Sequence, residues 1–516
     1  MNGSSSNTED SPSPRLVVLK FGGSSVASAA RWSRIHHIIS RERAAGRLPV
    51  VVCSAVKGIT DALVSLADTL DAATATPGAV DLAPALANIA LVHRRLGADL
   101  GVDADEVLSE ELGDLASLCG RVANGALPFG PGIRASILAF GERLSTRLGA
   151  AWLGTRGVHT AWVDARDLLD ARPEPPEVSD DVRFLSARCD ATPNAKTRDA
   201  LVGLGADAVL TQGFVARDQD GATVVLGRGG SDTSAAYLAA IVDAVELQIW
   251  TDVPGLFTAD PRVASGSRLL RWASYHEAAT LGGLGAKVLH PRCLEPVRAT
   301  RVPVRIGWTE HPDVDGTVIG GREPHDEDGA VGIKAVTCRK DLYLVRMRRT
   351  HEWQPVGYMA RVAGVFRDHG LSMDLLSSSP GEIRATLDAA AFPGLDARLD
   401  ALCADLSDFC EVAVTTGVAC VSLVGSRISD EMDRIASVLE LLGAPAIHLV
   451  SHAADDSNLS YVVDGPVAGD LVAAMHESLF GMRASSADIG PTWRELVVMT
   501  KRATAETGAS PRALGA

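Results

Sequence analysis

Short apolar runs alternate with long amphipathic stretches over the first three hundred residues, and this sets the expected architecture. Leu16–Leu19, Pro49–Cys53, Ala206–Thr211, Thr223–Leu226, Glu246–Trp250 and Val302–Ile306 are β-rich runs separated by helical patterns. Such alternation predicts a largely parallel sheet sandwiched by helices from Arg15 to about residue 310. Ligands of these folds collect on loops leaving the C-terminal strand ends. Residues 1–14, rich in Ser, Pro and acids, lack any apolar period and read as a disordered tail. Residues 311–335 form a turn-rich acidic link, H-P-D-V-D-G-T followed by G-G-R-E-P-H-D-E-D-G.

Beyond the link the pattern changes and occurs twice. Asp341–Met347, Gly357–His369, Ser372–Leu376, Ile383–Leu387 and Leu395–Phe409 read as strand, helix, strand, strand, helix. The order returns at Ala419–Val424, Glu431–Leu442, Ile447–Ser451, Leu459–Val463 and Val467–Leu479. Two small ferredoxin-like α+β units are predicted over residues 336–485. In the first helix Met359, Val362, Val365 and Phe366 share a face. The polar, Ala/Gly-rich stretch 486–516 reads as loosely ordered.

Composition narrows the function classes. Hydrophobic residues make up 46% and aromatics only 4%, so the core is built from Ala, Val and Leu. A formal net charge of -15 argues against nucleic acid or an anionic membrane as partner, since both call for a basic surface. No apolar run is long enough to span a bilayer and no secretion signal is evident, which makes the cytoplasm the expected compartment. Eight scattered cysteines without a C-x-x-C pair read as reduced, mostly buried thiols, and no metal-ligand spacing is present.

The chemistry-bearing segments follow the predicted strands. In R-L-V-V-L-K-F-G-G-S-S-V-A-S from Arg15, Gly22, Gly23 and Ser24 lie between a buried strand and a helix beginning near Ala27, with Lys20 as a charge beside them. A helix N-terminus beyond a glycine turn suits a phosphate, although this segment alone fits a plain turn equally well. At V-V-L-G-R-G-G-S-D-T-S-A, Arg228 can grip a carboxylate or phosphate in fork geometry and Ser231 to Thr233 can cap the helix. Ser54 and Thr60 offer hydroxyls after another strand. Glu142 sits in a long helix beside Arg143, where an ordinary helix ion pair is the competing reading. I-W-T-D-V-P-G-L-F-T-A-D-P-R at Ile249–Arg262 forms a turn-rich wall against which a nucleobase or ribose could rest, with Thr251, Asp252, Phe257 and Arg262 as candidates. L-G-A-K-V-L-H-P-R contributes Lys287, and His290 reads as structural. The set holds no Walker or protein-kinase signature, which indicates a triphosphate site of another lineage.

With these motifs in the order K-F-G-G-S-S-V, G-E-R-L-S-T, T-Q-G-F, G-R-G-G-S-D-T-S-A, W-T-D-V-P-G-L-F-T-A-D-P-R and G-A-K-V-L-H-P, the chain resembles the aspartate kinases of the amino-acid kinase superfamily, whose C-terminal units are ACT domains. The resemblance implies phosphoryl transfer from ATP, with Mg²⁺, to L-aspartate, giving 4-phospho-L-aspartate for lysine, threonine and methionine synthesis. It assigns Lys20, Asp232 and Lys287 to catalysis. Thr60, Glu142, Phe214, Arg228 and Ser231 would hold aspartate, and Lys20, Gly22, Gly23, Ser24, Thr251, Asp252, Phe257, Arg262 and Lys287 the nucleotide. It further implies at least a homodimer and an amino-acid effector at Met373 and Asp374. Lysine feedback is expected to be weak or altered, because Pro380 stands where lysine-sensitive members carry an acid and lacks a backbone N–H. Acetylglutamate or glutamate kinases, and a catalytically silent ACT-type sensor, are the rival readings.

Overall fold

The computed structural model describes residues 14–75, 81–286, 288–321, 332–350, 356–392, 394–441, 446–481 and 488–506. All but Pro14 of the predicted tail, Lys287, residues 322–331 of the acidic link and the end of the chain lie outside these residues. The chain divides into two compact units, residues 1–255 with 288–321, and residues 256–287 with 322–516. The segment Leu256–Lys287, which the sequence pattern assigns to the catalytic region, thus groups with the C-terminal unit.

The first unit is built on β1 (Arg15–Phe21), β2 (Arg47–Cys53), β3 (Thr160–Trp162), β4 (Ala208–Gln212), β5 (Leu247–Thr251), β6 (Val304–Trp308) and β7 (Thr317–Ile319), in the order β3-β4-β2-β1-β5-β6-β7. Every pairing through β6 is parallel, and only β7 runs antiparallel, against β6. Strands buried on both faces need continuous apolar runs, and β1 and β2 supply them. The core includes Leu19, Phe21, Trp32, Trp152 and Trp250. Among its helices are α1 (Ala29–Ala44), α2 (Ile59–Ala75), α3 (Pro131–Thr155) and α4 (Gly230–Ile241).

Two strand expectations change. Thr223–Val225 does not join the parallel sheet; it pairs antiparallel with Val215–Arg217 as a separate hairpin. β3 and β7, each of three residues, escaped the periodicity because so short a run carries almost no pattern.

In the second unit, Arg268–Leu270 and α5 (Tyr275–Gly283) precede the repeated region. That region contains β8 (Gly332–Arg349), α6 (Tyr358–Asp368), β9 (Leu376–Ser378), β10 (Glu382–Asp388), α7 (Leu395–Ser407), β11 (Cys410–Ser426), α8 (Met432–Leu441), β12 (Ile447–His452), β13 (Asn458–Asp464) and α9 (Gly465–Phe480). The order of elements follows the sequence reading, but the two repeats are fused. One sheet runs β9-β10-β8-β11-β13-β12, entirely antiparallel. The early half of β8, starting at Gly332 rather than at residue 336, pairs with the late half of β11. A break at Asp341, whose φ is 59°, separates it from the late half, which pairs with β10 and with the start of β11. Each long strand therefore serves both repeats, and each repeat has its own core, with a smaller cluster around Leu344, Val418 and Val462. Val345, Met347, Val362, Phe366 and Leu402 fill the first, and Val336, Val421, Leu423, Leu471 and Met475 the second. In α6 the buried residues are Tyr358, Val362 and Phe366, whereas Met359 is exposed. Past residue 486, where loose order was expected, β14 (Ile489–Thr492) pairs with Arg268–Leu270 and is followed by α10 (Trp493–Glu506).

Candidate active site

Lys20 lies on β1 next to its C-terminal end, between Val52 of β2 and Ile249 of β5. The loops leaving these three strands carry Gly22–Ser24, Ser54–Gly58 and Asp252, with Thr60 and Thr251 at the adjoining helix and strand ends. The Lys20 side chain is 12% exposed and its Nζ lies 2.5 Å from Oδ1 of Asp232, in the first turn of α4. A largely buried lysine has few geometries open to it, so this partner fixes where its charge points.

Around it the loops approach one another closely. Gly23 approaches the Ala55 carbonyl so closely that a Cβ would sit 2.6 Å from the oxygen. The Gly23 carbonyl accepts from the Lys57 N–H at 3.3 Å, which ties the two loops together. The Ser24 carbonyl accepts from Arg31, whose guanidinium also reaches Glu310. α1 starts at Ala29, two residues later than predicted, and neither it nor α4 has a side-chain cap. The capping role expected of Ser231 to Thr233 is therefore not realised. Thr233 instead donates to the Gly229 carbonyl, and Ser234 accepts the Phe214 N–H at 2.9 Å. First-turn N–H groups without side-chain caps present partial positive charge.

The carboxylate candidate Glu142 is 3% exposed on α3. Burial pushes its carboxyl up to about 8, opposed by a hydrogen bond from the Ala55 backbone. Oε2 has no hydrogen-bond partner among the described residues. The helix ion pair with Arg143 is not formed: Arg143 turns to Asp114 at 3.9 Å and lies over the Phe140 ring. Ser145, one turn along, donates to the Ser54 carbonyl at 2.8 Å and so fastens α3 to the loop that leads to Thr60. Thr60 is half-buried in the first turn of α2. Phe214 adopts φ 68°, an uncommon left-handed geometry held by Ser234.

Arg228 is exposed on the turn into α4, beside Ser231. Gly229 has φ 70°, and a Cβ there would lie 2.7 Å from Cγ of His290. His290 thus packs against the turn. Its imidazole is lowered by burial and by Arg292 and Arg228, with Asp232 opposing. Arg292 donates to the Leu226 carbonyl at 3.2 Å, fixing the strand end that precedes Arg228. Sequence reasoning left both residues out of the site; only the H-P-R continuation of the lysine motif hinted at them.

The nucleotide-wall candidates are split between the units. Thr251, at the end of β5, donates to Asp252 at 3.2 Å in the first. In the second, Phe257 meets the Trp493 ring edge-on at 5.9 Å, and the exposed Arg262 is bound to Asp260 at 2.7 Å. Trp493 was not foreseen. Lys287 lies outside the described residues. In the regulatory region, Met373 packs on the first core, and Asp374 pairs with Arg339 at 3.1 Å. All eight cysteines are free, six of them buried. Among the described residues no helix is long and apolar enough to cross a membrane.

A lysine on the central strand, two helix N-termini without side-chain caps and glycine turns at the strand ends are features that suit a phosphate. The sequence profile of the amino acid kinase family matches residues 15–307. The chain is 31% identical over 470 residues to lysine-sensitive aspartokinase 3 of Escherichia coli, covering 90% of this chain and 99% of that protein. It is similar to the crystal structure of E. coli aspartokinase III in complex with aspartate and ADP (R-state), with a TM-score of 0.72, 30% identity and coverage of 90% and 100%. It is also similar to the complex of that enzyme with lysine and aspartate (T-state), at a TM-score of 0.71, 30% identity and coverage of 90% and 99%. The chain belongs to the amino acid kinase family and, within it, to the aspartokinases.

Proposed function

We propose that the chain transfers the terminal phosphoryl group of ATP to the side-chain carboxylate of L-aspartate, giving 4-phospho-L-aspartate and ADP. The observation that carries this reading is Lys20, held by Asp232 at the start of α4, together with the buried Glu142 oxygen that has no partner among the described residues. A carboxylate oxygen of aspartate attacks the γ-phosphorus, and the bond from that phosphorus to the β–γ bridging oxygen breaks, leaving ADP. The nucleophile has an ordinary pKa of about 3.9, so it is ionised at neutral pH and needs no general base. The obstacle is repulsion between two anions, which fixed cations and backbone N–H groups reduce.

In this reading Lys20 and Lys287 neutralise the phosphoryl group in transfer, and Asp232 aims Lys20. The turn at Gly22, Gly23 and Ser24 contacts phosphate. Glu142 receives the α-ammonium of aspartate and Arg228 a carboxylate, with Thr60, Phe214 and Ser231 completing the pocket. Thr251, Asp252, Phe257 and Arg262 form the nucleotide wall. Among the described residues no group of three or more His, Cys, Asp or Glu could hold a metal. Mg²⁺ would arrive with ATP and neutralise charge on the transferring group, and Asp232, paired with Lys20, is a carboxylate that could orient a metal-bound water. An amino-acid effector is assigned to the ACT-like units at Met373 and Asp374, with weak response to lysine. The protein acts as at least a homodimer in the cytoplasm, in the entry step to lysine, threonine and methionine.

The test couples ADP release to L-aspartate and traps the acyl phosphate with hydroxylamine. Aspartate-dependent ADP and a hydroxamate are expected; activity on acetylglutamate or glutamate but not on aspartate, or no ATP turnover at all, overturns the reading.

A further inference from the structure

The fully buried Thr258 directly follows Phe257, and its polar atoms tie it to three elements of the second unit. Its N–H donates to the Arg268 carbonyl at 2.9 Å, and its own carbonyl accepts from Val336 of β8 at 2.8 Å. Its hydroxyl accepts the Arg268 N–H at 2.9 Å and lies 2.8 Å from Nε2 of His476 on α9. The hydroxyl donates to Nε2 when the ring proton is on Nδ1 and accepts from Nε2–H in the other tautomer, so the pair is bonded in either form of the neutral ring. His476 is itself buried, and its ring stacks on Phe480 at 4.9 Å. Burial, with Arg268 adding, lowers it to about 4, so the ring is neutral near pH 7 and remains an acceptor. Two further side chains from this stretch, Ala259 and Ala264, lie in the core formed by Val421, Leu471 and Met475. A buried titratable residue with one specific partner is therefore joined to the segment carrying the nucleotide-wall phenylalanine.

We propose that His476 is a positioning residue for the nucleotide: by holding the Thr258 hydroxyl it fixes the backbone that presents Phe257. This rests on reading Phe257 as part of the nucleotide wall. A fixed backbone limits the directions the ring can take, and the gain appears in binding because less freedom is lost when the nucleotide arrives. Aspartate binding, assigned to residues of the first unit, does not depend on this bond.

The test compares full-length His476→Leu with His476→Gln, and Thr258→Val with Thr258→Ser, by calorimetric titration with MgATP and by steady-state kinetics. Losing the buried bond to His476 is expected to raise the Kd and KM for ATP about fivefold to tenfold in His476→Leu, and at least as much in Thr258→Val, which also removes the acceptor for the Arg268 N–H. The KM for aspartate should stay within about twofold, and the Gln and Ser variants should recover nucleotide binding. ATP affinity unchanged in folded His476→Leu, a parallel rise in the aspartate KM, or no rescue would overturn the proposal. If His476→Leu fails to fold, Thr258→Val removes the bond from its other end together with the Arg268 contact, and Thr258→Ser, which keeps both, is its control. Should the wild-type protein bind MgATP without phosphorylating aspartate, the functional reading fails while the binding arm still decides the proposal. Should it bind no MgATP, both fail.

Discussion

Glu142 and Asp374 are both carboxylates raised by burial, yet they are treated in opposite ways. At Glu142 nothing offsets the desolvation except backbone hydrogen bonds, and one oxygen has no partner among the described residues. At Asp374 a cation is built in: Arg339 lies 3.1 Å away and also faces Asp388 at 3.8 Å. Burial keeps Asp374 above the usual carboxylate range, with Arg339 opposing and Asp388 adding. An unpaired buried carboxylate is costly and is tolerated where a ligand supplies the missing charge; a paired one is already satisfied by the fold. The first arrangement suits a substrate ammonium. The second leaves an incoming ammonium to compete with a guanidinium, which, besides Pro380, supports the weak lysine response proposed above.

The largest effect is expected from removing the charge that acts in transfer. Lys20→Met should lower kcat about a thousandfold with the fold retained, measured by ADP release and circular dichroism. An activity above a tenth of wild type would remove Lys20 from the transition state.

Glu142→Gln tests the open half of the comparison. The aspartate KM should rise roughly 10- to 100-fold, because a charge-assisted contact becomes a neutral one. In the wild-type enzyme the aspartate KM should fall as pH rises toward about 8, where Glu142 ionises, and the Gln variant should lose that dependence. Stability has the opposite slope. The folded state keeps a proton on Glu142 that the unfolded chain releases near 4.5, so between that value and about 8 rising pH destabilises the native state. Melting curves at pH 6 and pH 9 should show a smaller loss for Glu142→Gln than for wild type.

Arg339→Ala breaks the satisfied half and should have the smallest effect. Exposed to solvent by about a fifth, this pair should contribute about 1 kcal/mol to the regulatory unit. Its removal should lower the lysine concentration for half-inhibition by about fivefold. Unchanged lysine response in the variant, or half-inhibition of wild type at micromolar lysine, would show that Arg339 does not guard Asp374.

Much of the first unit was legible because its signals are local. The run Leu16–Leu19, the turn at Gly22 and Gly23, and Gly229 before α4 each announce themselves within a few residues, since backbone geometry there depends on near neighbours. Arg143 shows the limit. Beside Glu142 it looked like an ion-pair partner, but the helix directs it to Asp114. Thr223–Val225 had the composition of a sheet strand and still formed a hairpin, because composition does not choose a partner.

The sequence by itself determined the alternation of strands and helices, the repeated regulatory pattern and the residue types at each strand end, all of which follow from periodicity and short-range sterics. Tertiary structure alone decided which charges are satisfied. Asp232 reaches Lys20 across more than two hundred positions, Arg339 reaches Asp374, His476 meets Thr258, and Trp493 meets Phe257. Such pairings depend on how the chain closes over long separations, and no local pattern records that closure. The fusion of the two repeats into one sheet has the same origin: β8 and β11 are each continuous, but their halves find partners in different repeats only once the whole unit has assembled.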